Sequence, residues 1–135
     1  MLLRLLIAAL LIGHAMIHTG FLAPRPPKTA GGPPWPFELD RSWILDALGL
    51  GHEIGRQVGV ALVAVTLGGF ALAAVAALGI GPAGLWPAAA GVGAVGSLAA
   101  LLLFFHPWLV LAMAIDLALL WAVLVLGWAP DGLDG

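Results

Sequence analysis

From Gln57 to Pro130 the chain carries one charged residue, Asp116. Such a stretch cannot form the surface of a water-soluble domain, in which about a quarter of residues are charged. It must instead be divided into membrane spans, each needing roughly 17–25 predominantly apolar residues. The whole chain agrees: 62% of its 135 residues are hydrophobic and 9% are charged. The expected fold is all-α, with four transmembrane helices in an antiparallel bundle forming a single membrane domain over residues 1–135.

The spans fall at approximately 5–23, 57–79, 85–105 and 108–128. The last two are one apolar run too long for a single crossing, and "FFHPW" divides them. Pro107 cannot donate a backbone hydrogen bond to a continuing helix but suits the first turn of a new one. At the N-terminus, Arg4 followed by "LLIAALLIG" has the charge and apolar run of a secretory signal. No small-residue cleavage motif follows, so this segment is read as a retained first span.

Residues 24–56 form the long connection. "PRPPKTAGGPPWPF" is too rich in Pro and Gly for a helix and suits extended, partly polyproline-like chain. In "LDRSWILDALGL", Asp40 offers an N-cap. Trp43, Ile44, Ala47 and Leu48 then share one face, as in a short helix lying on the membrane surface. Trp35, Phe37 and Trp43 suit the headgroup layer.

Charge and cysteine content exclude whole classes of chemistry. The formal net charge is −2 and there are no basic clusters, which excludes a nucleic-acid partner. With no cysteine, disulfides, thiolate metal sites and cysteine nucleophiles are absent. Ser42 lies in no nucleophile elbow and no phosphate-binding glycine loop is present, so enzymatic activity is not expected. The small residues Ala89, Gly93 and Ser97, four apart on span three, suit close helix packing within the bundle.

The polar residues of the spans carry the functional expectation. An even number of spans puts the long connection and the His106 turn on one face of the membrane. His52 precedes span two on that face, and His18 lies just inside it. His14 is one turn deeper and shares a helix face with His18. At about 1.5 Å of rise per residue, His14 and Asp116 both lie roughly 12 Å below the same face. A carboxylate at that depth costs on the order of 2.5–3.5 kcal/mol, so Asp116 must face inward and find a partner. His14 or His18 is the partner expected, with Thr19 and Thr66 as candidate hydroxyl donors. The candidate ligand-binding set is therefore His14, His18 and Asp116 at depth, with His106, His52 and Glu53 at the mouth. In "HEIGR", Glu53 and Arg56 are spaced for an ion pair.

Three functions are compatible with this pattern. A polar pocket in one half of the membrane could bind a small ligand, a proton or a cation, as His and carboxylate chains do in proton relays. The chain could instead be an accessory or assembly subunit, joined to a membrane-protein partner or to copies of itself, its polar residues fixing only packing. Or His14 and His18 could ligate a haem or transition metal in electron transfer. The surrounding lipid bilayer is expected to be the inner (plasma) membrane of a prokaryote, given the Ala, Gly, Leu and Pro bias. Orientation rests on conflicting signals: Arg25, Lys28, Arg41 and Arg56 favour a cytoplasmic long loop, whereas Arg4 favours a cytoplasmic N-terminus. The larger count leads to the expectation that the long loop is cytoplasmic.

Overall fold

The computed structural model describes residues 1–27, 30–32 and 34–130. Five α-helices are present among them, and no strand. Helix α1 (Leu2–His18) continues through a 3₁₀ turn, Thr19–Leu22. Then come the short α2 (Trp43–Ala47), α3 (His52–Ala77), α4 (Leu85–Leu103) and α5 (Val110–Leu120). The last is preceded by a 3₁₀ turn at Pro107–Leu109 and followed by a π-helical turn at Trp121–Val125. Four segments are long and apolar enough to cross a membrane: Leu2–Leu22, His52–Ala77, Leu85–Leu103 and Pro107–Val125. Their outward faces are apolar, with Leu10, Leu111 and Leu124 all well exposed, as lipid contact requires.

Local chemistry sets the breaks between these helices. Helix α3 ends because Gly79 takes a φ of +86°, where a side chain would be strained. Gly79 N–H then donates to the Ala76 carbonyl and Ile80 N–H to the Val75 carbonyl, which satisfies the helix end. The Arg4 side chain reaches this turn: its Nη1 lies 2.6 Å from where a Cβ on Gly79 would stand. Helix α4 ends at Leu103, and His106 before Pro107 is extended (φ −141°, ψ 138°), as a residue preceding proline must be. The His106 ring accepts from the Trp108 N–H at 3.2 Å and caps the next segment.

The α2 helix starts later than the sequence suggests. Its N-cap is Ser42, not Asp40: the Ser42 hydroxyl accepts from the Leu45 N–H. That hydroxyl also donates to the Leu103 carbonyl, and the Trp43 indole donates to the Leu102 carbonyl. These bonds tie α2 to the end of α4, where the last carbonyls have no partner in their own helix. At the other end of α4, the Trp86 indole donates to the Trp128 carbonyl at 2.9 Å. Residues 131–135 at the end of the chain lie outside the described residues. So do Lys28, Thr29 and Pro33 of the Pro-rich segment.

The most extensive interface lies between α3 and α4, with α1 packed on α3 and α5 on α4. Small residues make it close. A Cβ on Gly69 would stand 2.5 Å from Gly93 Cα, so the two backbones touch. Ala89 and Gly93 of the small-residue stripe thus pack within the chain, against α3.

Two apolar clusters form the core. One gathers Leu11, Phe70, Trp86, Ala90 and Val123; the other gathers Phe21, Val63, Leu101, Phe104 and Ala112. Between the contributions of each long helix to the two clusters falls a buried polar residue: His18 on α1, Thr66 on α3, Ser97 on α4 and Asp116 on α5, with His14 one turn before His18. A polar layer therefore crosses the molecule between two greasy ones.

Candidate functional site

The polar layer is buried: His18, Thr66, Ser97 and Asp116 are fully inaccessible and His14 is 4% exposed. Each polar atom in such a site must find a partner within the protein or forfeit its hydration without return. The observed bonds meet most of that demand. His14 Nε2 lies 2.8 Å from Asp116 Oδ1. The Ser97 hydroxyl donates to Asp116 Oδ2 at 2.5 Å. His18 Nε2 lies 2.8 Å from Ser97 Oγ, and His14 Nε2 is 3.5 Å from the same oxygen.

Counting protons fixes the direction of these bonds. Ser97 has one hydroxyl proton and gives it to Asp116, so Ser97 Oγ accepts from His18, whose Nε2 must carry a hydrogen. The proton between His14 Nε2 and Asp116 Oδ1 is different: it can reside on the imidazole facing a carboxylate or on the carboxyl facing a bare nitrogen. Both arrangements satisfy the same 2.8 Å contact. Beyond the chain of bonds, Nδ1 of His14 and Nδ1 of His18 are buried without a partner among the described residues. Asp116 thus joins α1 to α5 through His14, while Ser97 joins both to α4.

Aromatic rings enclose the site. Phe70 meets His14 edge-on with centroids 5.2 Å apart, and the two imidazoles are themselves T-shaped at 5.5 Å. On the loop side Phe21 lies nearly parallel to His18, with centroids 6.2 Å apart. Phe21 also lines a cavity of about 400 Å³ that contains Arg25, Glu38, Asp40 and Arg56. Phe21 thus stands between His18 and a charged cavity.

The structure brings together three of the six residues singled out in the sequence: His14, His18 and Asp116. The other three lie apart. His52 is exposed, its Nδ1 2.6 Å from the Asp40 carbonyl. Glu53 accepts from Gln57 rather than pairing with Arg56, because the i,i+4 amide reaches it at 3.0 Å. His106 caps the turn at Trp108. The two threonines considered as donors instead bond their own helices, Thr19 to the Met16 carbonyl and Thr66 to the Leu62 carbonyl. The hydroxyl of the cluster belongs to Ser97, which sequence reasoning noted only for its small size. A depth count finds it: six residues before Leu103, it sits roughly 9 Å inside its span, close to the level of His14 and Asp116.

Metal and haem ligation can be tested against this geometry. Among the described residues, no group of three or more His, Asp or Glu is arranged to hold a metal ion. His14 and His18 share one helix and direct their Nε2 atoms at Asp116 and Ser97. A haem held by two axial imidazoles needs them on opposite sides of the iron, which two ring-to-ring histidines on one helix do not offer. Comparison with known family models, with curated proteins and with solved structures finds no match. What fold and site define is a class only: an all-helical chain with four helices of membrane-spanning length around a buried His–Ser–Asp cluster.

Proposed function

We propose that this chain is a single-domain integral membrane protein whose four spans form an antiparallel bundle, and that its buried His14–Asp116–Ser97–His18 cluster binds and releases a proton. One observation carries the reading: the cluster is a continuous chain of hydrogen-bond contacts in which a histidine meets a carboxylate at 2.8 Å. Proton binding asks for no cavity, whereas a larger ligand or a hydrated cation would need to displace bonds that are already made. The charged cavity beyond Phe21 supports access from the loop face. Helix α2, tied to the end of α4, is read as lying at the membrane surface, with Trp43 half in the headgroup layer. The membrane is proposed to be a prokaryotic plasma membrane with the long loop on its cytoplasmic side.

The test is infrared difference spectroscopy of the protein in lipid bilayers as bulk pH is changed. The protonated-carboxyl stretch of Asp116 is expected to rise and fall with pH, to vanish in Asp116→Asn and to shift in His14→Gln. A spectrum without a pH-dependent Asp116 band overturns the reading.

A second reading is favoured by the way the cluster joins α1, α4 and α5 through fully buried atoms. Such bonds fix the register of helices that apolar contact alone orients poorly. An accessory or assembly subunit would need only this. It predicts copurification of a constant membrane partner, and loss of that partner, rather than of a titrating band, in Asp116→Asn.

A further inference from the structure

The charged cavity at the loop end has an unusual pairing pattern. Arg25 and Glu38 bond each other at 2.7 Å. Arg56 and Asp40 line the same cavity, yet neither side chain has an ion pair or hydrogen bond among the described residues. Opposite charges that share a recess without meeting leave room for a dipolar group between them. They would hold one whose negative end faces Arg56 and whose positive end faces Asp40.

Arg56 also lines a second hollow, a groove of about 350 Å³ along one face of α3 that begins at Glu53 and Arg56 and runs past Gln57 to Val60, Ala61 and Ala64. These positions follow the helical repeat, and the two alanines make the face concave. Ala64 lies eight residues beyond Arg56, roughly 12 Å deeper into the membrane. The 26 residues of α3 rise about 39 Å, against a hydrocarbon core of about 30 Å. Arg56, four residues or roughly 6 Å from the helix start, therefore falls close to the boundary of the hydrocarbon core while the groove descends into the acyl layer. Cavity and groove share Arg56 and Val60, so together they have a polar upper part and an apolar lower part.

We propose that this composite hollow is a binding site for one aminophospholipid. Its phosphate sits against Arg56, its primary ammonium against Asp40, and an acyl chain lies along Val60, Ala61 and Ala64. The guanidinium is well shaped for phosphate oxygens. A primary ammonium can donate hydrogen bonds to the carboxylate, which a trimethylammonium cannot. A glycerol headgroup would bring no positive charge to Asp40 at all. The site is separate from the buried cluster, and its existence does not depend on whether that cluster titrates.

The experiment is native mass spectrometry of the full chain released from detergent. Beforehand the protein is equilibrated with equal amounts of phosphatidylethanolamine, phosphatidylglycerol and phosphatidylcholine of matched chains. One phosphatidylethanolamine per chain is expected, retained about fivefold over either competitor. Arg56→Gln is expected to lower retention of all three about tenfold, as loss of one charge-assisted contact does. Asp40→Asn should erase the preference for phosphatidylethanolamine over phosphatidylglycerol while leaving phosphatidylglycerol bound. Ala61→Phe with Ala64→Phe fills the groove without touching a charge and should also release the lipid, which keeps the proposal testable if Arg56→Gln folds poorly. Arg41→Gln, a change at an exposed arginine outside both hollows, should have no effect. Equal retention of the three lipids, unchanged in Arg56→Gln, would mean annular contact only and overturns the proposal. Displacement by micromolar glycerophosphoethanolamine, which has no acyl chains, would assign the cavity to a soluble phosphate ester and overturns it too.

Discussion

Replacing Ser97 with Ala removes a single oxygen from the centre of the molecule, and the structure gives the expected size of the effect. The hydroxyl makes two bonds between helices, donating to Asp116 at 2.5 Å and accepting from His18 at 2.8 Å. Hydrogen bonds between helices within a membrane are worth about 0.6 kcal/mol on average and about 1.7 kcal/mol at most. The substitution also leaves His18 with both ring nitrogens unpartnered, since Nδ1 has none already, and an orphaned buried polar group costs about 1–3 kcal/mol. The vacated space is too small to add a sizeable cavity penalty. A loss of about 2–4 kcal/mol follows from these terms. Reversible unfolding in mixed micelles, followed by helical circular dichroism and tryptophan fluorescence, measures it. Ser97→Ala combined with Asp116→Asn should lose less than the sum of the two single changes, because the residues share a bond. A Ser97→Ala protein within about 0.5 kcal/mol of wild type would refute the reasoning, for an exposed site of no structural consequence behaves that way.

Other outcomes follow from the same coordinates. Gly69→Ala forces a methyl to within 2.5 Å of the Gly93 backbone and should destabilise the α3–α4 pair by at least the 1–3 kcal/mol typical of overpacking, roughly. Gly68→Ala, whose Cβ meets nothing within 4 Å, should be neutral or slightly stabilising in the same unfolding assay. Phe21→Ala removes the ring between the charged cavity and His18, so deuterium exchange at the His18 imidazole carbon should accelerate about tenfold, by mass spectrometry, while Phe70→Ala should leave that rate unchanged. His106→Ala deletes the cap on Trp108 and should cost about 0.5–2 kcal/mol in stability without altering any titration of the cluster.

The sequence carried the architecture because the bilayer leaves few options. A chain with one charge between Gln57 and Pro130 divides into helices long and apolar enough to cross a membrane, and Pro107 marks where the last two divide. Matching depths by helical rise also put His14 level with Asp116 across more than a hundred residues, leaving His14 or His18 as its partner, and the contact falls on His14. That argument used only translation along the helix axis. Rotation about the axis was not available to it, and rotation decides which hydroxyl reaches the carboxylate. Thr19 and Thr66 satisfy themselves on carbonyls one turn back in their own helices, an outlet open to any hydroxyl in a helix. Ser97 turns to Asp116 instead, across the contact between α4 and α5. His52 and His106 were grouped with the site by membrane face alone, and face says nothing of lateral position. Both bond loop backbone near their own helix starts. The start of α2 depended on a choice between two capping residues two positions apart, and Ser42 prevails where its hydroxyl can also reach the end of α4.

The central claim is that the cluster shares an exchangeable proton between His14 and Asp116. Solid-state nitrogen NMR of ring-labelled histidine, in bilayers scanned from about pH 4 to 9 across the range where imidazoles titrate, tests it most directly. His18 is expected to carry its hydrogen on Nε2 with Nδ1 bare. The His14 signals should move with pH in wild type and stop moving in Asp116→Asn. Signals from His14 that stay fixed across the whole range, or that match those of exposed His52, would contradict the account.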